Sequence, residues 1–344
     1  MLRRQILALP AAVAASGLAR PALAQDRTLN LYSSRHYDTD RALYEGFTTE
    51  TGMRIRLIEG DADQLIARIQ SEGANTPADV LITVDGARLA RAVAANILAP
   101  TRSDILQGRV PASLRDPDGQ WYGVSRRARV VMFDKTRGRP AGLERYEDLA
   151  KPEFRGQILV RAAAHPYNTS LMASIMVANG EQAAEAWARG VAQNMARPPQ
   201  GGDTPQFQAV AAGVGGLAIA NTYYRARFGA SNNADQKALY ERIGVIFPNQ
   251  GQGDRGTHVN VSGAGVVRSS SNKEMALRFI EYLTGPRAQE MFANGNFEYP
   301  VVADVQPHPA LAAFGTFRAD EPNAQRYGAL APQALQIMQR AGWR

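Results

Sequence analysis

An alternation of strand-like and helix-like segments near the start of the chain constrains the fold more than any other feature. Strands are predicted at 27–34, 53–60 and 78–85, and helices at 38–52 and 61–73. In the first helix Leu43 and Phe47 recur at helical spacing, Asp38 or Thr39 can cap its start, and Gly52 can end it. The last strand is almost continuously apolar, which is typical of buried parallel strands. This order predicts an α/β fold with a largely parallel sheet.

A second α/β set follows the turn at 116–119. Its strand-like and apolar segments are at 121–135, 156–161 and 213–221, its helix is at 181–195, and two more helices are at 272–285 and 286–295. The glycine-rich segment 243–267 has an extended pattern and is predicted to return the chain toward the first α/β set. We therefore predict two α/β lobes. Lobe 1 comprises 25–125 with 255–300 returning to it, and lobe 2 comprises 126–254 with 301–344 packing mainly on it.

The N-terminal segment has the pattern of a secretory signal peptide. Arg3 and Arg4 precede an apolar stretch, and small residues before Gln25 predict cleavage after Ala24, which makes 1–24 the signal. Both general secretion and the twin-arginine route remain open. Cysteine is absent, which excludes disulfides, thiolate metal sites and a lipoprotein anchor. With only four histidines in the chain, a metal site would have to use mainly oxygen ligands.

The net charge gives no sign of a nucleic-acid partner. The full chain carries +7, of which Arg3, Arg4 and Arg20 of the leader supply three, leaving four. The remaining arginines are scattered instead of forming a basic stripe interleaved with aromatic residues. We therefore predict no binding to nucleic acid.

Two adjacent tyrosines, Tyr223 and Tyr224, follow the apolar run 217–221. On a regular strand their side chains would point to opposite faces, whereas a strand-to-helix turn could direct both into one cavity. Taken alone, a tyrosine is more often a half-buried packing residue whose hydroxyl is hydrogen-bonded.

Several motifs, in order along the chain, resemble the periplasmic ferric-iron-binding proteins. They include "SSRHY", "SEGANTPADVLITVD", "SRRARVVMFDK", "PYNTSLMAS", "ANTYYRARF", "FPNQGQGDRGTHVNVSGAGV" and "GNFEYPVV". The similarity extends from about residue 29 to about residue 302. It implies a type II periplasmic binding protein, the soluble receptor of a bacterial iron ABC importer, with iron held in the cleft between two lobes.

The resemblance also implies a set of metal ligands. The tyrosine pair of the family corresponds to Tyr223 and Tyr224, and a third tyrosine corresponds to Tyr167. In the tyrosine-rich branch a fourth corresponds to Tyr37, and the histidine before it, His36, is an occasional or redox-dependent ligand. The expected cargo is Fe(III), with Fe(II) as an alternative.

Charge compensation at this site is implied by the same resemblance. Arg127 and Arg227 align with arginines that offset an anionic iron site. Another branch has a glutamate ligand where this chain has Val84, so the chain is expected to need no synergistic anion. Phenols have an ordinary pKa of about 10, so iron binding should displace protons. His165 could line the same cleft, and His258 is interpreted as structural.

The predicted function is therefore that of a periplasmic, monomeric, non-enzymatic iron receptor that delivers Fe(III) to an ABC permease in the inner membrane. One alternative is a receptor of the same fold for an oxyanion or an organic cation. Another is an exported iron-dependent hydrolase, although no G-x-S-x-G elbow accompanies the tyrosines.

Overall fold

The computed structural model describes residues 27–35, 37–320 and 324–344. The predicted signal peptide at 1–24 lies outside the described residues. The strands are β1 (Thr28–Ser33), β2 (Arg54–Glu59), β3 (Val80–Thr83), β4 (Tyr122–Asp134), β5 (Ile158–Leu159), β6 (Leu217–Asn221), β7 (Ile243–Ile246) and β8 (Val259–Val266).

Helices connect these strands and cover the sheet. They are α1 (Asp40–Thr51), α2 (Ala62–Glu72), α3 (Gly86–Ala94), α4 (Asp104–Arg109), α5 (Pro166–Asn179), α6 (Glu181–Gln193), α7 (Asp203–Ala211), α8 (Thr222–Gly229), α9 (Ala234–Arg242), α10 (Lys273–Leu283), α11 (Pro286–Met291), α12 (Pro309–Ala312) and α13 (Ala324–Arg340). Across the described ranges, none of these helices combines the length and apolar character needed to cross a membrane.

The strands form a mixed sheet in the order β2-β1-β3-β8-β4-β6-β5, with β7 also paired to β4. β1 is parallel to β2 and β3, and β5 is parallel to β6. The long strands β4 and β8 are antiparallel to each other and to their other neighbours. The sheet is therefore less parallel than the sequence predicts, because one strand leaves lobe 1 and the other returns to it in the opposite direction.

Helix ends follow local side-chain chemistry. Asp61 and Asp85 each accept backbone N–H hydrogen bonds at the starts of α2 and α3. Thr39 occupies the cap position of α1, but its hydroxyl bonds to Asn296 and does not cap the helix, and Gly52 ends that helix with φ 71°. The left-handed conformation at this last position favours glycine, as the sequence predicts.

Each lobe buries apolar side chains on both faces of its part of the sheet. In β1, Leu31 and the adjacent Tyr32 belong to separate buried clusters on the two faces of lobe 1. In β4, Val131 and Met132 divide in the same way between the two clusters of lobe 2. Alternation of side chains along a strand explains the division. Helices therefore cover both faces of the sheet. Binding groups can then lie at the strand ends and at the starts of the helices that follow them.

Two connections bring the lobes together. Strands β4 and β8 pass from one lobe to the other, and Arg127 pairs with Asn260 in their register. The C-terminal helix α13 contacts both α3 in lobe 1 and α5 in lobe 2. Its Gly328 lies so close to Ala90 of α3 that an added Cβ would collide with that side chain. The cleft is therefore bounded by the crossing strands and by the starts of helices from both lobes.

Candidate functional site

The predicted tyrosines lie at the amino ends of helices or in a loop after a strand. Tyr37 lies between β1 and α1, and Tyr167 is the second residue of α5. Tyr223 and Tyr224 are the second and third residues of α8, which follows β6 without a gap. Their position is therefore a helical first turn and not the irregular turn that the sequence suggests. Ligand-binding groups of α/β proteins commonly occupy such strand-to-helix junctions.

The four tyrosines surround one cavity. The phenol oxygens of Tyr167 and Tyr223 are 3.1 Å apart, within hydrogen-bonding distance. The rings of Tyr223 and Tyr224 stack with centroids 4.2 Å apart, and the ring of Tyr37 meets Tyr223 edge-on at 6.5 Å. The cavity has a volume of about 390 Å³ and is lined by Ser34, Tyr37, Asp61, Ala62, Val84, Asp85, Arg88, His165, Pro166, Tyr167, Tyr223, Tyr224 and Arg227.

Burial disfavours ionisation of three of the cavity phenols. Tyr223 and Tyr167 are 1% and 7% exposed. Loss of solvent raises the pKa of Tyr223, Tyr167 and Tyr37 above the ordinary phenol value, because the charged phenolate is poorly solvated there. A bound cation of high charge would reverse this effect, since it stabilises the phenolate directly.

Arg127 places a buried positive charge close to the tyrosine cluster. Its Nη1 donates to the hydroxyl of Ser262 at 2.7 Å and lies 3.4 Å from a carboxylate oxygen of Glu298. Its Nε and Nη2 have no hydrogen-bond partner among the described residues. The guanidinium carbon lies 5.6 Å from the centre of the Tyr167 ring. Two unpaired buried donors beside a phenol favour an anionic neighbour.

Arg227 supplies a second positive charge at the rim. Its guanidinium carbon lies 5.0 Å from the Tyr223 ring centre, 5.4 Å from that of Tyr37 and 5.9 Å from that of Tyr224. Guanidinium groups at this distance are attracted to aromatic faces, and the attraction strengthens when the ring becomes a phenolate. Both predicted arginines therefore lie beside the tyrosine cluster.

The loop that carries Tyr37 is supported by a buried charge network, which no sequence motif predicts. Arg35 is 2% exposed and forms ion pairs with Asp40 at 2.7 Å and Glu298 at 3.1 Å. Its guanidinium carbon lies 4.8 Å from the ring centre of Tyr37. Arg35 and Glu298 both lie in motifs that carry the family resemblance, but no local pattern predicts their pairing.

Asn260 joins both lobes at the crossing strands. Its side-chain amide donates to Asp85 in lobe 1 at 2.6 Å and to Ser170 in lobe 2 at 3.1 Å. Its Oδ1 accepts the backbone N–H of Gly86 at 3.0 Å. These contacts link the amino ends of α3 and α5, both of which border the cavity. These hydrogen bonds therefore link the separation of the two lobes to the positions of the helix ends that border the cavity.

Among the described residues, His165 is the one histidine that lines the cavity. His36 lies outside the described residues. His165 lines the cavity, where its Nδ1 accepts the backbone N–H of Tyr167 at 3.3 Å, and burial lowers the pKa of His165 to about 3. His258 is buried against Tyr327, outside the cavity lining. Within the described parts of the chain, no three His, Asp or Glu side chains converge as ligands, so a metal here would depend on phenol oxygens.

Comparisons with known proteins show which family this chain resembles. The profile of the family described as "Bacterial extracellular solute-binding protein" matches residues 75–316. "Iron uptake protein A1" of Synechocystis sp. is 51% identical over 321 residues, which is 93% of this chain and 88% of that protein. The "Fe(3+)-binding periplasmic protein" of Serratia marcescens is 28% identical over 328 residues, which is 93% of this chain and 92% of that protein.

A solved structure shows the same architecture. Trichodesmium IdiA (FutA), in complex with iron and citrate ligands, superposes with a TM-score of 0.87 at 50% identity, covering 92% of this chain and 100% of that one. The predicted fold class, two α/β lobes of the type II periplasmic binding-protein kind with a cleft between them, is thereby confirmed.

Proposed function

This chain belongs to the family of bacterial extracellular solute-binding proteins, and we propose that it captures Fe(III) in the cleft between its lobes and delivers it to an ABC permease. The observation that carries the proposal is the convergence of four tyrosines on one cavity, with two phenol oxygens 3.1 Å apart. Relatives named for iron uptake and Fe(3+) binding support the choice of cargo.

The proposed ligands are Tyr37, Tyr167, Tyr223 and Tyr224. Fe(III) is a small, hard cation, and phenolate oxygens match it better than neutral donors do. Four phenolates around a +3 ion leave a charge of about −1, which nearby guanidinium groups can offset. His36 is a further candidate ligand, and Fe(II) is an alternative cargo. Metal uptake must release the phenol protons, so binding is expected to strengthen as the pH rises.

Arg127 and Arg227 are proposed to compensate the charge of the loaded site. Both hold a guanidinium carbon within 6 Å of at least one cavity tyrosine ring. We further propose that loading needs no synergistic anion, because Val84 lines the cavity where a carboxylate ligand is found in another branch of the family. The citrate in the structure of the Trichodesmium relative makes this point directly testable. Loading with ferric iron from a non-carboxylate chelator should be as complete as loading from citrate.

Delivery requires that the permease distinguishes the loaded protein from the empty one. A metal held by residues of both lobes stabilises the closed form by its higher affinity for that form. Tyr37 belongs to lobe 1, whereas the other three tyrosines belong to lobe 2 under the proposed boundaries of 25–125 with 255–300, and 126–254 with 301–344. We place the protein in the periplasm as a monomer, exported by the signal at 1–24, with an inner-membrane permease as its partner.

Iron loading, followed by measurement of the visible absorption spectrum, tests the proposal. Purified protein is mixed with ferric citrate, freed of excess iron and examined for phenolate-to-iron charge transfer, which should give a red to purple colour. Replacing Tyr223 and Tyr224 together by phenylalanine should abolish the colour. Tyr299→Phe is a matched control, since Tyr299 is also 7% exposed, like Tyr167, but lies outside the cavity lining. A colourless parent protein that retains no iron would refute the proposal.

We propose that the protein has no catalytic activity, because receptors and not enzymes are named among its relatives. Phosphoesterase and esterase assays on the iron-loaded protein test this point. Turnover that disappears in Tyr224→Phe would instead support an iron-dependent hydrolase.

A further inference from the structure

We infer that Arg129 is a positioning residue that sets the spacing between Tyr167 and the Tyr223–Tyr224 pair, an inference that rests on the proposed function. Arg129 lies on β4 and is 2% exposed. Its guanidinium bonds to the residue that follows Tyr167 and to the residue that precedes α8. A single rigid group therefore connects the two helices whose first turns carry the proposed ligands of lobe 2.

The first connection leads to α5. Nη2 of Arg129 donates to Oδ1 of Asn168 at 2.7 Å. Nδ2 of Asn168 in turn donates to the backbone carbonyls of Arg161 and Ala162 at 2.9 and 3.0 Å. Asn168 is 0% exposed and immediately follows Tyr167. The Arg129 contact therefore ties the β4 strand to the loop and helix turn that place the Tyr167 phenol.

The second connection leads to α8. Nη1 of Arg129 donates to Oδ1 of Asn221 at 3.0 Å and to Oδ2 of Asp203 at 2.9 Å. The same carboxylate oxygen of Asp203 accepts the backbone N–H of Asn221 at 2.8 Å. Asn221 is the last residue of β6, two positions before Tyr223. The guanidinium thus fixes the point at which the chain leaves the sheet and begins α8.

The planar guanidinium explains why an arginine is needed here. Its two terminal nitrogens point in fixed directions, so bonding both at once sets a distance between Asn168 and Asn221. Lysine would carry the same charge but lacks this fork. A charged guanidinium has no lone pair to offer a metal, so Arg129 is not a ligand, and the asparagine contacts are the route by which it positions the tyrosines. The phenol oxygens of Tyr167 and Tyr223, 3.1 Å apart, are the pair whose spacing this brace maintains.

Two asparagine variants test the brace without breaking the Arg129–Asp203 ion pair. Asn221→Ala removes the hydrogen bond to Arg129, and Asn221 Nδ2 has no other partner in the described ranges. The Asn221 side chain also does not cap α8, so its loss should leave that helix intact. Asn168→Ala removes the connection to α5. Supporting groups around metal ligands typically change affinity by about 10–100-fold, and we expect that loss of iron affinity in both variants.

Asn194→Ala is the matched control. Asn194 is also buried in lobe 2, at 3% exposed, and its Nδ2 donates to two backbone carbonyls as that of Asn168 does. It is not among the residues that line the cavity. Affinity is measured by competition with a chelator, the ligand geometry by the charge-transfer band, and the stability of the iron-free protein by urea unfolding.

The expected result is a shifted or weakened charge-transfer band in Asn221→Ala and Asn168→Ala, with an unchanged band and affinity within about threefold of the parent in Asn194→Ala. Parental affinity and an identical band in Asn221→Ala would overturn the inference. A parent protein that binds no iron would instead refute the proposed function. If Asn168→Ala does not fold, Asn221→Ala decides the outcome alone, because it removes a single side-chain bond.

Discussion

Replacing Arg127 by methionine should weaken iron binding by about 100-fold through the loss of a buried positive charge. The guanidinium carbon lies 5.6 Å from the Tyr167 ring centre, and we take this distance as the separation from the loaded site. At an effective dielectric constant of about 20, two unit charges at this distance interact by about 3 kcal/mol. Each 1.4 kcal/mol is about tenfold in affinity, which gives the expected factor.

The substitution should leave the fold intact. Glu298, which lies 3.4 Å from Arg127, keeps its ion pair with Arg35 at 3.1 Å and its hydrogen bond from Ser125 at 2.8 Å. The carboxylate is therefore not left as an isolated buried charge, the situation that makes single deletions in buried pairs costly. Urea unfolding of the iron-free variant measures any remaining loss of stability separately from the loss of affinity.

Arg126→Met is the control for net charge. Arg126 is the preceding residue of β4, so its side chain points to the opposite face of the strand, where Nε donates to the carbonyl of Pro300 at 3.1 Å. Both variants lose one positive charge from the same strand, and only Arg127 faces the tyrosines. Iron affinity is measured for both by chelator competition at one pH and ionic strength. Equal weakening in the two variants, or less than threefold weakening in Arg127→Met, would refute the electrostatic argument.

Three further predictions follow from the same contacts. Phenols have an ordinary pKa of about 10, and burial raises the pKa of three cavity phenols further, so loading through four phenolates at pH 7 should release about four protons per iron. Apparent affinity should therefore rise with pH, and a pH-stat titration that finds fewer than two protons per iron would contradict this. Asn260→Ala loses its bonds to both lobes, at a cost of about 1–3 kcal/mol to the closed form. Stopped-flow mixing with a chelator should show faster iron release with an unchanged charge-transfer band, whereas a parental rate would argue against an interlobe role. Gly328→Ala should lower the free energy of unfolding by about 1–3 kcal/mol through collision with Ala90, whereas Gly108→Ala, also helical but in open space, should not.

The pH dependence of the iron-free protein has the opposite sign from that of iron binding. A phenol whose folded-state pKa lies above its unfolded value stabilises the fold fully below the unfolded pKa, about 10, and this contribution is lost as the pH rises through the folded-state value. High pH therefore strengthens metal binding while it weakens the empty protein. Urea unfolding with and without iron at pH 8 and pH 10.5 separates the two effects.

Local patterns of the sequence predict much of lobe 1, whereas the candidate tyrosines are implied by the family resemblance. The first strands and helices follow from apolar spacing, and the end of α1 follows from Gly52, whose φ of 71° suits glycine. Position after a strand-like run draws attention to Tyr223 and Tyr224, whereas Tyr37 and Tyr167 are indicated only by the resemblance. Helices α3, α4, α7, α9 and α13, by contrast, have no counterpart in the prediction. Several of them are short, and apolar periodicity over so few residues does not separate a helix from a loop.

Through its motifs the sequence implies, by resemblance, which phenols are candidate ligands. By itself it determined the alternation of strands and helices and the absence of cysteine chemistry. Those properties depend on neighbours within a few positions, where side-chain spacing and backbone preference act. The tertiary structure decided which groups surround the phenols. Arg35 meets Glu298 across 263 positions of the chain, and Asn260 meets Asp85 across 175. Such pairs form because the crossing strands bring distant segments into one buried space, where an unpaired charge or amide would cost free energy. Neighbouring residues in the sequence do not indicate which distant residue will supply the partner.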